Sequence, residues 1–298
     1  MGAFTEKLAE ELINKKIDCE CCKVALLGGF VLCSGEFALR NKKVCVVIKG
    51  ISKDADEFVK SLAAGSYGAK IDAGGVVDEN ASEKLLRDLD FLMPSGGFEM
   101  HVSEEIFVCE TCAASFLRGA FLSAGRADIK ISEDLAVSSG SGYKIVFTMN
   151  AAGAGEFAQV LAQFDIDVSV VEGLVYITGF ENVRTFLAGV GATRCLLMLE
   201  NENIARELRS QASRAVNAAE GNIKKTVAAS AELLEMVKVI GEIIGVERLP
   251  GHLKDLCKLV LKEQGLSLND IASKLGVSKS GANHRVRAIR EIYRSIEN

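Results

Sequence analysis

The chain has 298 residues, 49% of them hydrophobic and 25% charged, with a formal net charge of −5. That length allows two or three domains with cores of their own, and no apolar run reaches the roughly 18 residues a membrane span needs. The acidic balance excludes a nonspecific nucleic-acid coat, and nine cysteines, an odd count, read as reduced thiols rather than a disulfide framework.

The opening "MGAFTEKLAEELINKK" is acid-rich and lacks the basic head and apolar middle of a signal peptide, which makes the protein cytoplasmic in this reading. A repeat follows. "CKVALLGGFVLCSG" (Cys22 to Gly35) aligns without a gap, at an offset of 90 residues, with "CAASFLRGAFLSAG" (Cys112 to Gly125). Leu27 pairs with Leu117, Gly29 with Gly119, and Gly35 with Gly125. Each copy reads as a helix, and small residues at Gly28, Gly29, Gly119 and Ala120 let two helix backbones approach closely. Gly35 and Gly125 stand where left-handed glycine caps would end the helices. After the first copy come a β-rich run, "KKVCVVIKG", and a helical one, "SKDADEFVKSLAA". The glycine-rich "GAKIDAGGVVDEN" carries no clear strand. After the second come "YKIVFTM", "AGEFAQVLAQF", "DIDVSVV", "GLVYITG" and "ENVRTFLAGVG", an order of αβαββα. The fold class is therefore α+β: two αβ halves, about 1–105 and 106–191, joined at a pseudo-twofold axis into a saddle over 1–191.

From 192 to 248 the chain is almost wholly helix-forming, a linker that Gly221 is expected to break. Arg206, Arg209, Arg214, Lys224 and Lys225 face only two acids between residues 206 and 225. They form either a solvated face or a further contact to phosphate. Residues 249–298 read as a helix-turn-helix domain. Ser267 and Asp270 make a capping-box-like start, Ala272 is the small residue where two helices meet, and Gly276 supplies the turn. Ile271, Leu275, Val277, Ala282, Val286, Ile289 and Tyr293 form an apolar seam, and Ser278 is the second helix's N-cap. Arg285 stands where an apolar residue is usual, which implies a rotated second helix or a turn one residue longer. Six basic residues and one acid lie between Lys274 and Arg294. Asn283, His284 and Arg287, with Ser280 beside them, are placed for base or groove contact, and Lys279, Arg285 and Arg290 for phosphates. A three-helix protein-interaction module is the alternative for this segment.

The cysteines of "CECC" (Cys19, Cys21, Cys22) and "CETC" (Cys109, Cys112) fall at matching ends of the repeats. Buried reduced thiols are the reading the residue type favours. A four-cysteine zinc site of Cys19, Cys22, Cys109 and Cys112 is the other, and no metal or other cofactor is expected on the first.

These pieces together resemble the WhiA family of sporulation and cell-division regulators of Gram-positive bacteria. The likeness runs through "FTEKLAEEL", "CCKVALLGGF", "CAASFLRGAFLSAG", "SRAVNAAEGNIKKT", "LPGHLKDLCKL" and "SKSGANHRVRAI". It implies a degenerate LAGLIDADG homing-endonuclease fold joined to a helix-turn-helix of the sigma-factor region-four type. The protein it implies is no enzyme but a transcription regulator of double-stranded DNA, linked to sporulation, division or chromosome segregation. Another regulator or a sigma factor is a further partner, and no membrane is. In LAGLIDADG nucleases an acid beside each helix's final glycine holds the metal for cleavage. Ser34 and Ala124 stand there, and Leu32 and Leu122 fill the motif's other acid positions. Glu36 and Asp128, just beyond the glycines, are out of register to converge. An adaptor acting mainly through protein partners is the competing function.

Overall fold

The computed structural model describes residues 2–93, 97–131 and 142–297. It divides into two compact units, Met1–Arg209 and Ser210–Asn298. In the first unit α1 (Ala3–Asn14) precedes α2 (Glu20–Ser34), the hairpin β1 (Phe37–Arg40) and β2 (Lys43–Val46), α3 (Lys53–Tyr67) and α4 (Glu79–Asp88). The second copy begins with α5 (Cys112–Ala124), followed by β3 (Gly125–Asp128), β4 (Lys144–Thr148), α6 (Ala151–Ala162), β5 (Val168–Val171), β6 (Leu174–Thr178) and α7 (Phe180–Gly189). The last four strands form one antiparallel sheet in the order β3-β4-β6-β5.

The repeated helices are the axis of this unit. A Cβ on Gly29 would lie 1.9 Å from the Phe116 carbonyl oxygen, and one on Gly119 would lie 1.9 Å from that of Leu26. Each helix therefore presses its glycine onto the other's backbone, and no side chain fits at either place. Around the crossing, Leu26, Leu27, Phe30, Leu117, Ala120 and Phe121 are fully buried. Apolar surface buried at this crossing stabilises the unit by about 25 cal/mol per Å². Thr5 of α1 ties the amino terminus to the second half: its hydroxyl donates to the Ala127 carbonyl at 3.0 Å and accepts from the Ala127 N–H at 3.0 Å.

Three local expectations are corrected. Gly35 ends α2 with φ 56°, the left-handed cap expected, but Gly125 has φ −83° and ψ 141°. It passes directly into β3, and its lack of a side chain serves the packing of Phe121, whose Cδ2 would lie 2.4 Å from a Cβ. Because β3 pairs with β4, the second half reads αββαββα rather than αβαββα. In the first half the glycine-rich run contributes only isolated bridges, Val47 with Val76 and Ile71 with Val77.

The third correction concerns the linker. Helix α8 (Thr193–Ile243) runs for 51 residues without a break at Gly221. A glycine inside an exposed helix costs only about 1 kcal/mol relative to alanine, too little to interrupt so long a segment. Its start is capped from a distance, with the Glu11 carboxylate accepting from the backbone N–H groups of Arg194 at 2.7 Å and Cys195 at 2.9 Å. These are donors that a helix leaves unpaired, and a negative charge suits its positive end.

The second unit packs the end of α8 against α9 (Gly251–Lys262), α10 (Leu268–Lys274) and α11 (Lys279–Glu297). Its core joins Leu233, Val237 and Ile240 of α8 to Leu256, Cys257, Ile271, Ala282 and Ile289.

Candidate nucleic-acid interface

The turn between α10 and α11 is built by local chemistry. Ser267 and Asp270 form a complete capping box at the start of α10. The chain leaves α10 through Gly276 at φ 64°, and the Val277 N–H returns to the Ala272 carbonyl at 2.9 Å. Ser278 starts α11, its hydroxyl accepting from the Gly281 N–H at 3.1 Å. Ala272 is 6% exposed and Ala282 fully buried, so small side chains allow the two helices to meet.

The seam follows Ala282, Val286, Ile289 and Tyr293, an i, i+4, i+7, i+11 stripe of buried and half-buried residues. Arg285 lies beside it and donates to the His252 carbonyl at 3.3 Å. The seam therefore accommodates arginine at 285 by letting it lean on α9. The opposite face of α11 carries Lys279, Ser280, His284 and Arg287, all exposed. Asn283 is half-buried and lines a groove of about 430 Å³ with Lys225, Ser267, Asn269, Lys279 and Arg290. Lys225 on α8 and Lys279 on α11 thus flank one groove, a juxtaposition their sequence separation hides. Arg290 is held by Glu232 at 3.2 Å, and Lys274 by Glu263 at 2.9 Å.

The five cationic residues of the 206–225 stretch separate into two groups. Arg206 and Arg209 hold the buried Glu202 carboxylate at 3.0 and 2.9 Å, and Arg206 also lies 4.4 Å above the Tyr143 ring. Arg214 donates to Ser210 Oγ at 2.7 Å and is exposed, as are Lys224 and Lys225. The second group is open to a ligand.

At the far ends of α2 and α5, Ser34 Oγ donates to the Val31 carbonyl at 3.2 Å, while Leu32 and Leu122 are fully buried. Glu36 is 3.6 Å from Lys49, and Asp128 faces Lys144 across the β3–β4 ladder. Among the described residues, the cluster able to gather metal-ligating atoms is instead Cys19, Cys21, Cys22 and Cys109. Cys21 is the member that the C-x-x-C spacing passes over; only the position of α2's first turn reveals it.

A family model described as the WhiA LAGLIDADG-like domain matches residues 113–209, and one described as the WhiA C-terminal HTH domain matches residues 212–293. The chain belongs to the WhiA family. A probable cell division protein WhiA of Carboxydothermus hydrogenoformans is 28% identical over 315 residues, covering 99% of this chain and 98% of that one. The protein of the same name from Bacillus subtilis is 27% identical over 97% of this chain and 96% of its own. The crystal structure of full-length DUF199/WhiA from Thermotoga maritima matches with a TM-score of 0.53 at 21% identity over 97% of both chains. That likeness bears on the fold, which in this chain comprises a LAGLIDADG-like α/β unit, a long helix and a terminal helix-turn-helix. No helix among the described residues is long and apolar enough to cross a membrane.

Proposed function

We propose that this WhiA-family protein is a DNA-binding regulator that inserts α11 into the major groove of a duplex, acts in cell division and has no nuclease activity. The carrying observation is the exposed face of α11. A capping box and a left-handed glycine set the helix at its turn, while Lys279, Ser280, His284 and Arg287 project from the side opposite the seam. Side chains of these types reach base edges and phosphates from a helix in the groove. His284, Arg287 and Asn283 read bases, Lys279, Arg285 and Arg290 position the backbone, and Lys224, Lys225 and Arg214 extend the phosphate track along α8. Support for the division role comes from the relatives, which are named probable cell division protein WhiA. Sporulation and chromosome segregation are related roles the family resemblance adds, with another regulator or a sigma factor as further partner in the nucleoid.

Cleavage needs carboxylates that converge on a hard divalent ion. Buried leucines and a serine turned onto its own helix supply none, Glu36 is paired with Lys49, and Asp128 stands in register with Lys144 on the β3–β4 ladder. The test is titration of the full chain on duplex DNA at rising salt, beside a Lys279→Ala/Arg287→Ala double variant. Affinity should fall steeply with salt, and the double variant should lose about tenfold or more at fixed salt, with a shallower slope. Equal binding by both proteins would remove α11 from the interface. Absence of duplex binding would favour the protein-partner adaptor. Incubation of the same DNA with Mg²⁺ or Mn²⁺ should leave it intact; cutting that disappears in Glu36→Ala would restore the nuclease.

A further inference from the structure

The amino-terminal ends of the two crossing helices bring five sulfurs together. Cys21 and Cys22 lie in the first turn of α2, with Cys19 at its N-cap position; Cys112 is the first residue of α5, and Cys109 stands just before the Thr111 N-cap. Cys22 Sγ is 3.6 Å from Cys109 Sγ and 4.0 Å from Cys112 Sγ, and the Cys109–Cys112 distance is 3.4 Å. Four thiolates around one zinc ion, each about 2.3 Å from it, lie about 3.8 Å from one another at the corners of a tetrahedron. The three sulfurs therefore already mark one face of such a tetrahedron. They are much farther apart than the roughly 2.0 Å of a disulfide.

The fourth corner has two claimants. Cys19 and Cys21 lie 3.6 and 3.7 Å from Cys109, but only 2.9 Å from each other, too close for both to bind one ion. Both lie within 4.8 Å of Cys22 as well. Cys21 is held beside Cys22 inside the first turn of α2, whereas Cys19 stands outside the helix at its N-cap position.

We propose that Cys21, Cys22, Cys109 and Cys112 bind one zinc ion that ties the two halves of the first unit together at the start of their central helices. The assignment replaces Cys19 of the C-x-x-C pattern with its neighbour and extends the spacing argument with geometry. A zinc tetrathiolate carries a net charge of −2, and both helices direct their positive ends toward it, which favours thiolate over thiol. The Thr111 hydroxyl lies 3.3 Å from Cys109 Sγ and 3.1 Å from Cys22 Sγ, close enough to donate to a bound sulfur. The thiol protons leave when the ion binds. The role is structural: all four ligand places are filled by sulfur, so no position is left open for a substrate.

The test is metal analysis of the full chain, grown with zinc and purified without chelator. About one zinc per chain is expected, and Cys109→Ser or Cys21→Ser should lower it below about a tenth of an equivalent. Cys19→Ser and Cys33→Ser, the latter a buried thiol elsewhere in α2, should retain it. Should the ligand variants fail to fold, cobalt exchanged into the wild-type chain gives an independent reading, since a tetrahedral tetrathiolate has intense visible bands that octahedral cobalt lacks. A chain that binds no zinc, binds another metal in its place, or shows the mass loss of disulfide formation among these cysteines overturns the site. Zinc lost in Cys19→Ser and kept in Cys21→Ser overturns the choice of fourth ligand.

Discussion

Single glycines in this chain carry opposite consequences, and the contacts tell them apart. At Gly29 and Gly119 an added methyl meets a backbone carbonyl that belongs to the other central helix. Gly29→Ala or Gly119→Ala should destabilise the first unit by about 3 kcal/mol or more, the upper end of the cost of forced overpacking, as read by chemical denaturation. At Gly221 nothing lies within 4 Å of the same methyl. Gly221→Ala should therefore stabilise α8 by about 1 kcal/mol and raise its helicity. A gain at Gly29 or a loss at Gly221 would contradict the assigned packing. Arg285 gives a third residue-level outcome. Its removal should weaken binding to all duplex sequences alike and reduce the salt slope by about one, because a phosphate contact carries no base information. An unchanged slope would confine Arg285 to its contact with His252. Residues are also where sequence reading reached its limit. The basic count along 206–225 treats Arg206 and Arg209 as equals of Lys224, since nothing local shows that Glu202 is buried between the first two.

Among the elements, those with a local cause were legible and those with a tertiary cause were not. The turn of the helix-turn-helix follows from Ser267, Ala272 and Gly276, all within ten residues, and its structure matches that reading. Strands β1 and β3 are only four residues each, and they exist because a neighbouring strand pairs with them. Helix α8 has both kinds of cause. Its ends are fixed by Glu11 and by the core of the second unit, whereas every residue from Ser210 to Glu220 is exposed. That stretch is held by helix propensity alone, which gives cooperative but shallow protection. Hydrogen exchange should therefore be fast over 211–220 and slow over Leu233 to Ile240; equal protection would mean that another surface covers the exposed turns. The approach to α9 depends on acidity. Glu247 pairs with Lys254 and, at 2.7 Å, with Lys258, and these lysines draw its carboxyl from 4.5 down to about 2. A depressed carboxylate stabilises the fold above its ordinary value and loses that contribution as pH falls through the lower one. Melting of the second unit should thus decline between pH 4.5 and 2, with a smaller decline in Glu247→Gln; parallel curves would remove Glu247 as the cause.

Over the whole molecule the charges and the contacts sort by unit. A chain with a net charge of −5 concentrates six basic residues against one acid between Lys274 and Arg294, and this is why the total conceals its cationic segment. The two-unit division itself falls within α8, after Arg209, and no change of composition marks that point. The reciprocal contact of Gly29 and Gly119 has a wider consequence. Ser34 and Ala124 lie five residues beyond these glycines, about 7.5 Å along each helix axis. The residues at the motif's ends are thereby mechanically separate from the clasp at its centre. Serine or alanine can stand at those ends at no expense to the crossing of the two helices, which Gly29 and Gly119 alone keep close.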